Sequence, residues 1–288
     1  FLLMHAVPGG PFDVGERRLP EATRVAQMEK YGLNEPLYEQ YARYMWHAVQ
    51  GDFGVPFQRP TETVTGLIAS RWPVTIAIGI PTIIIAYTFG TLLGIIAATR
   101  QNSWIDYVVT TVGTLGLTVP SWVVGTWLVL MLSVRWDLLP TGGWGEPKHY
   151  IMPVIAYSLA PMALVARYTR LTLIETMRSD YVRTARAKGL REQRIMAGHI
   201  ARNAAIPWVT VLLPEIPNIL TGSIFIEAIF NIPGLGSYFV TSTISRDYPM
   251  ILALTLLIAT LWGFTYLLTD LLYTVLDPRV RLVGGRVG

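Results

Sequence analysis

Apolar and polar positions fall into long blocks along this chain rather than short alternations. Five stretches, 74–98, 108–134, 151–174, 204–230 and 250–276, are almost wholly apolar. Each exceeds the roughly 20 residues needed to cross a hydrocarbon layer of about 30 Å at about 1.5 Å per residue. The first two carry no charge, and the other three hold only Arg167, Arg170, Glu215, Glu227 and Asp270. Such runs predict transmembrane helices. The opening run, residues 1–7, is apolar but too short to span. It reads as the outer end of a helix that begins before this sequence, giving six spans in the intact protein, with a short core strand as the alternative. The expected class is therefore an all-α polytopic membrane protein.

Residues 8–73 form a different block, polar but organised. Asn34 followed by Pro36 predicts a helix start, because an asparagine side chain caps free amides and proline suits a first turn. Leu37, Tyr41, Tyr44, Met45, Ala48 and Val49 then share one face, and Gly51 is placed to end the helix. A second helix over 20–31 and an interfacial one over 63–71 complete a small external subdomain. The expected organisation is 1–7, the end of a first span; 8–73, the external subdomain; 74–276, five spans with a cytoplasmic segment at 175–203; and 277–288, a cytoplasmic tail.

Charge orients this arrangement. Residues 175–203 hold seven basic and three acidic side chains, and the tail adds Arg279, Arg281 and Arg286 against Asp277. Loops 135–150 and 232–249 each balance to zero. Lys and Arg collect on the cytoplasmic side of short loops, so both basic segments face inward. The net charge of +4 is then topology rather than a nucleic-acid footprint. Only 15% of residues are charged and 52% are hydrophobic, against about a quarter charged in soluble domains.

Several chemistries are missing from the sequence. There is no cysteine, hence no disulfide, thiolate nucleophile or Cys-ligated metal. No Gly-Lys pair is present for a phosphate-binding loop, and His5, His47, His149 and His199 are scattered without a metalloprotease spacing. A self-contained enzyme and a resident metal are not expected. Uphill transport would draw energy from another chain or from an ion gradient.

The most informative stretch runs from Ser179 to Asn203. It predicts a helix over 180–188, a break at Gly189 and a second helix over 191–203, since glycine tolerates the left-handed conformation that ends a helix. Val182 and Ala185 give the first helix an apolar side, and Ile195, Met196 and Ile200 give one to the second. By pattern alone, a basic amphipathic loop resting on lipid headgroups is the alternative.

Asp180-Tyr181-Val182-Arg183-Thr184-Ala185-Arg186-Ala187-Lys188-Gly189-Leu190 resembles the cytoplasmic loop of the integral-membrane permeases of bacterial and archaeal ABC importers, specifically the oligopeptide, dipeptide and nickel branch. Arg183-Thr184 stands where the wider superfamily has Glu-Ala. Further blocks are similar to this branch: Gly32-Leu33-Asn34-Glu35-Pro36, Gly51-Asp52-Phe53-Gly54, Val119-Pro120-Ser121, Leu139-Pro140-Thr141-Gly142-Gly143, Glu227-Ala228-Ile229-Phe230 with Pro233-Gly234-Leu235-Gly236, and Asp270-Leu271-Leu272-Tyr273 with Leu276-Asp277-Pro278-Arg279. Their order and spacing together are specific. The resemblance implies the type I importer permease fold and an inner-membrane location. It implies a second similar permease, two cytoplasmic ATPase subunits that bind ATP and Mg, and an external solute-binding protein. It also implies that the segment around Gly189 is a helix docking on the ATPase.

Charges inside spans are costly and carry functional hypotheses by default. Arg167 and Arg170 lie near the inner end of their span and are expected to reach the headgroups. Asp270, near the cytoplasmic end, is expected to pack or pair with a basic loop rather than touch substrate. Glu227, with Phe230, Pro233 and Gly234, reads as external packing or a gate. Glu215 lies about 16 Å into its span, between Pro214 and Pro217, which interrupt the backbone ladder. It is placed with Asn218 beside a translocation path, or else is held by a buried partner. The expected function is the permease of an ATP-driven importer of di- or oligopeptides. Nickel or glutathione-like cargo in the same family, and an ion-coupled secondary transporter, are the alternatives; the latter would be supported by inverted repeats with paired broken helices, which are not evident.

Overall fold

The computed structural model describes residues 1–6, 10–12, 21–200, 209 and 212–276, and the regular structure among them is helical. In chain order the helices are α1 (Leu2–Ala6), α2 (Glu21–Lys30), α3 (Leu37–Val49), α4 (Val64–Thr99), α5 (Trp104–Thr118), α6 (Ser121–Leu128), α7 (Lys148–Met177), α8 (Asp180–Ala187), α9 (Glu192–Ile195), α10 (Glu215–Leu220), α11 (Ile224–Ile229), α12 (Leu235–Ile244) and α13 (Tyr248–Leu276). Helix α6 runs on into a π-helical turn, Val129–Arg135, and α9 into another, Met196–Ile200. Val7, Pro207, residues 201–203 of the cytoplasmic segment and the basic tail lie outside the described residues.

Helices α4, α7 and α13 are long and apolar enough to cross a membrane, and α5 with α6 makes a fourth if counted as one bent span. Three expectations need correcting. The interfacial helix over 63–71 and the span over 74–98 are one helix, α4. The stretch 108–134 is bent by 96°, because Pro120 cannot donate an amide to the ladder and biases Val119 away from helical geometry; Val119 has ψ 119. The stretch 204–230 is not a single helix. Within it α10 and α11 are separated at Gly222, which has φ +93.

The chain divides into two compact units, Phe1–Thr75 with Pro233–Thr260 and Ile76–Ile232 with Leu261–Gly288. In the first unit, Val64, Leu67, Leu235, Met250, Ala253 and Leu254 form a buried apolar cluster. Asp247 fixes the loop beneath it, accepting backbone amides of Phe57 and Gln58 at 3.1 Å each. Asn34 does not cap α3, whose N-cap is Pro36 with no side-chain bond. Buried Gln40 performs the neighbouring task, donating to the carbonyls of Glu35 (2.7 Å) and Leu33 (3.1 Å). The expected apolar face of α3 is also misjudged: Leu37, Tyr41 and Val49 are exposed.

The second unit is organised by close helix approach. Gly90 and Gly94 of α4 lie one helical turn apart against α7. A Cβ on Gly90 would sit 2.7 Å from the Met162 carbonyl oxygen, and one on Gly94 2.7 Å from that of Ala166. This is a small-xxx-small contact, in which missing side chains let two backbones pack in direct contact.

Candidate functional site

The segment expected to face the cytoplasm is built as a bracket. Helix α8 closes with Gly189 at φ +75. The Gly189 amide donates to the Arg186 carbonyl (2.9 Å) and the Leu190 amide to that of Ala185 (3.3 Å), the paired bonds of a Schellman closure. No heavy atom lies within 4 Å of a Cβ built on Gly189, so glycine is needed there for backbone conformation alone. Across the turn, Arg186 grips Glu192 through two hydrogen bonds, 2.6 and 3.3 Å, and its guanidinium holds the Glu192 carboxyl below the ordinary carboxylate value.

The apolar side of this bracket is seated in protein, not lipid. Val182, Ala185, Ile195 and Ile200 are buried with Ala98 from the end of α4 and Leu173 from the end of α7. Burial of each isoleucine contributes on the order of 2 kcal/mol. The headgroup-resting alternative is therefore set aside. Second-helix expectations are met as α9 and the π turn that follows it, not as one regular helix over 191–203. Tyr181, Arg183, Thr184, Arg186, Ala187 and Lys188 all face outward, as does Asp180 at the start of α8. One helix thus carries an anchored stripe and a free one.

Helix α7, which leads into the bracket, is tied to α5 by charge. Arg170 does not extend to headgroups as expected; its Nε and Nη2 donate to Asp106 at 2.5 and 2.8 Å. Asp106 is 2% exposed. It also accepts the Asn102 amide at 3.0 Å, while the Ser103 side chain accepts the Asp106 amide. Ser103-Trp104-Ile105-Asp106 is a capping-box pattern, a signal present in the sequence and passed over in the expectations above.

Glu215 and Asn218 do meet, with Asn218 Nδ2 at 3.5 Å from Glu215 Oε2. They line a cavity of about 230 Å³ with Leu117, Ser121, Tyr157, Ala160, Pro161, Leu164 and Ile219. The broken backbone here is satisfied locally: the Tyr87 hydroxyl donates to the Leu212 carbonyl, and Tyr157 to that of Asn218 at 3.1 Å. Ser121 reaches the cavity because the chain bends at Pro120. A second cavity of about 440 Å³ is lined by α5 and α7, including Thr110, Thr114 and Arg167.

The block from Glu227 to Gly236 is shared between the two units, which part between Ile232 and Pro233. Glu227 and Phe230 are buried. The Phe230 ring lies against Gly125, and its carbonyl accepts the Gly143 amide at 2.8 Å, joining two of the sequence blocks. The Pro233 carbonyl accepts Arg71 at 3.3 Å, and Gly234 is the N-cap of α12. Asp270 is exposed on α13.

Residues 90–282 match the family described as the inner membrane component of binding-protein-dependent transport systems. The chain is 39% identical over 282 residues to the dipeptide transport system permease protein DppB of Bacillus subtilis, covering 98% of this chain and 91% of the relative. It is 40% identical over 283 residues to the oligopeptide transport system permease protein OppB of Haemophilus influenzae, covering 98% and 92%. Among solved structures, a chain of the MetNI methionine ABC transporter superposes with a TM-score of 0.59 at 13% identity, covering 73% of this chain and 96% of that one.

Proposed function

The chain belongs to the family of binding-protein-dependent transport system inner membrane components, as a multi-pass inner-membrane permease of the type I importer fold, and from that premise we propose that it carries di- or oligopeptides inward with energy from ATPases docked on α8. The names of both relatives support peptide cargo. The family also implies partnership with an ATPase and a solute-binding protein. The proposed assembly is this permease, a second similar one, two ATPase subunits holding ATP and Mg, and an external binding protein. In this proposal the bond-breaking step falls to the ATPase subunits.

The observation that carries the coupling role is the division of α8. Val182 and Ala185 are buried among the cytoplasmic ends of α4 and α7, while Tyr181, Arg183, Thr184, Ala187 and Lys188 are free to meet a partner. A short rigid helix seated in this way moves both spans when it is pushed. Glu215 and Asn218 are proposed to border the path, and Glu227 and Phe230 to hold its outer packing. The test is uptake by the purified complex in proteoliposomes. Labelled di- and tripeptides should enter only with ATP inside the ATPase compartment and should be indifferent to collapse of a proton gradient. Uptake that follows the gradient would return the ion-coupled reading, and uptake of nickel without peptide would reassign the cargo.

A further inference from the structure

We infer that one groove between α5 and α7 receives both ends of a short zwitterionic peptide, its ammonium at Glu215 and its carboxylate at Arg167. The inference rests on the peptide reading and adds to it where the cargo lies and how it is oriented.

The two cavities described above have no lining residue in common but follow one another along the same two helices. On α7, Tyr157, Ala160, Leu164, Arg167 and Leu171 recur at helical spacing, so a single face passes from the 230 Å³ cavity to the 440 Å³ one. Thr110, Thr114 and Leu117 do the same on α5. The groove has a carboxylate at one end and a guanidinium at the other. Arg170 also lines the second cavity, but its charge is taken by Asp106. Arg167 is exposed and has no ion pair among the described residues, which leaves it as the uncompensated cation of the groove. A guanidinium binds a carboxylate through two parallel hydrogen bonds, and a phosphate offers it the same chemistry.

Length selects among ligands. The α7 residues lining the two cavities are offset by about two helical turns, roughly 10 Å. An extended peptide rises about 3.4 Å per residue, so a peptide of two to four residues matches that offset. The carboxyl end, lying nearer the cytoplasmic bracket, is the leading end.

The test uses the complete complex in proteoliposomes and a tripeptide in three forms, free, N-acetylated and C-amidated. Comparing each variant with the unsubstituted complex on the same peptide cancels selection by the binding protein. Arg167→Gln should slow uptake of the free and N-acetylated forms about tenfold, the scale of one charge-assisted contact, and leave the amide within about twofold. Glu215→Gln should slow the free and amidated forms and spare the acetylated one. Arg167→Lys should restore most of the loss. Equal loss on all three forms, or no loss, overturns the inference while the cargo assignment stands. A loss that tracks the anionic lipid content of the vesicles assigns Arg167 to a lipid phosphate and also overturns it. If the unsubstituted complex carries no peptide, both readings fall.

Discussion

Arg170 reaches Asp106 across 64 residues of chain and closes on it with two hydrogen bonds of 2.5 and 2.8 Å. The pair joins α5 to α7 just before α7 enters the bracket around Gly189. Removing one member strands the other in a site with little water, which costs about 3 kcal/mol, whereas neutralising both costs far less. Arg170→Met should therefore lower the melting temperature of the purified complex markedly. The double variant Asp106→Asn/Arg170→Gln should recover most of that loss.

Gly189 separates conformation from contact. With φ +75 and open space around a built Cβ, Gly189→Val should strain the turn by about 1–2 kcal/mol and misdirect α8. Asparagine tolerates the left-handed region, so Gly189→Asn should behave nearly as the unsubstituted chain. The measurement is ATP hydrolysis alongside peptide uptake: valine should leave hydrolysis poorly linked to transport, and asparagine should keep the two in proportion.

Gly90 and Gly94 present the opposite case, in which space is the constraint. A methyl group at either position meets backbone oxygen at 2.7 Å. Gly94→Val should force α4 and α7 apart and destabilise the chain by about 2 kcal/mol, read as a lower melting temperature and weaker recovery of the complex. Gly263→Ala on α13, where nothing lies within 4 Å, is the control and should be neutral.

How much of this was readable in the sequence depended on the range of the interaction. Apolar length marked α4, α7 and α13, and Gly189 with Val182 and Ala185 marked the bracket, because each signal lies within a few residues of its consequence. The 96° bend escaped a reading based on charge-free length, since hydropathy carries no direction, although Pro120 was there to suggest it. Asn34 gave a false start signal because α3 opens at Pro36 without a side-chain cap, and the amide that ties the preceding turn, Gln40, does so by donating to two carbonyls rather than by accepting helix amides. The Asp106–Arg170 pair could not be read from either residue alone; only the fold brings them together.

Orientation is open to a direct check. Gln193 and Gln58 are both exposed, and the chain has no native cysteine. In intact cells, an impermeant thiol reagent should label Gln58→Cys and leave Gln193→Cys unlabelled until the membrane is opened.

The Arg186–Glu192 grip should also respond to acid. Arg186 lowers the folded-state value of the Glu192 carboxyl below its ordinary 4.5, so the contact contributes fully above that pH and is lost as pH falls through the lowered value. A spin label at Gln193 should gain mobility on acidification below pH 4.5. In Glu192→Gln that step should be absent.

The two stripes of α8 also bear on inheritance. Val182 and Ala185, which seat the helix, and the side chains that face outward share one short segment, and among the outward ones Arg186 also closes the turn on Glu192. On the proposed coupling role, descendants of this protein can change which motor they accept through Tyr181, Arg183, Thr184 and Lys188 while the joint beneath stays as it is. The partner's identity is written in ink that can be replaced without rebuilding the page, and gene duplication followed by exchange of motors becomes a short evolutionary step.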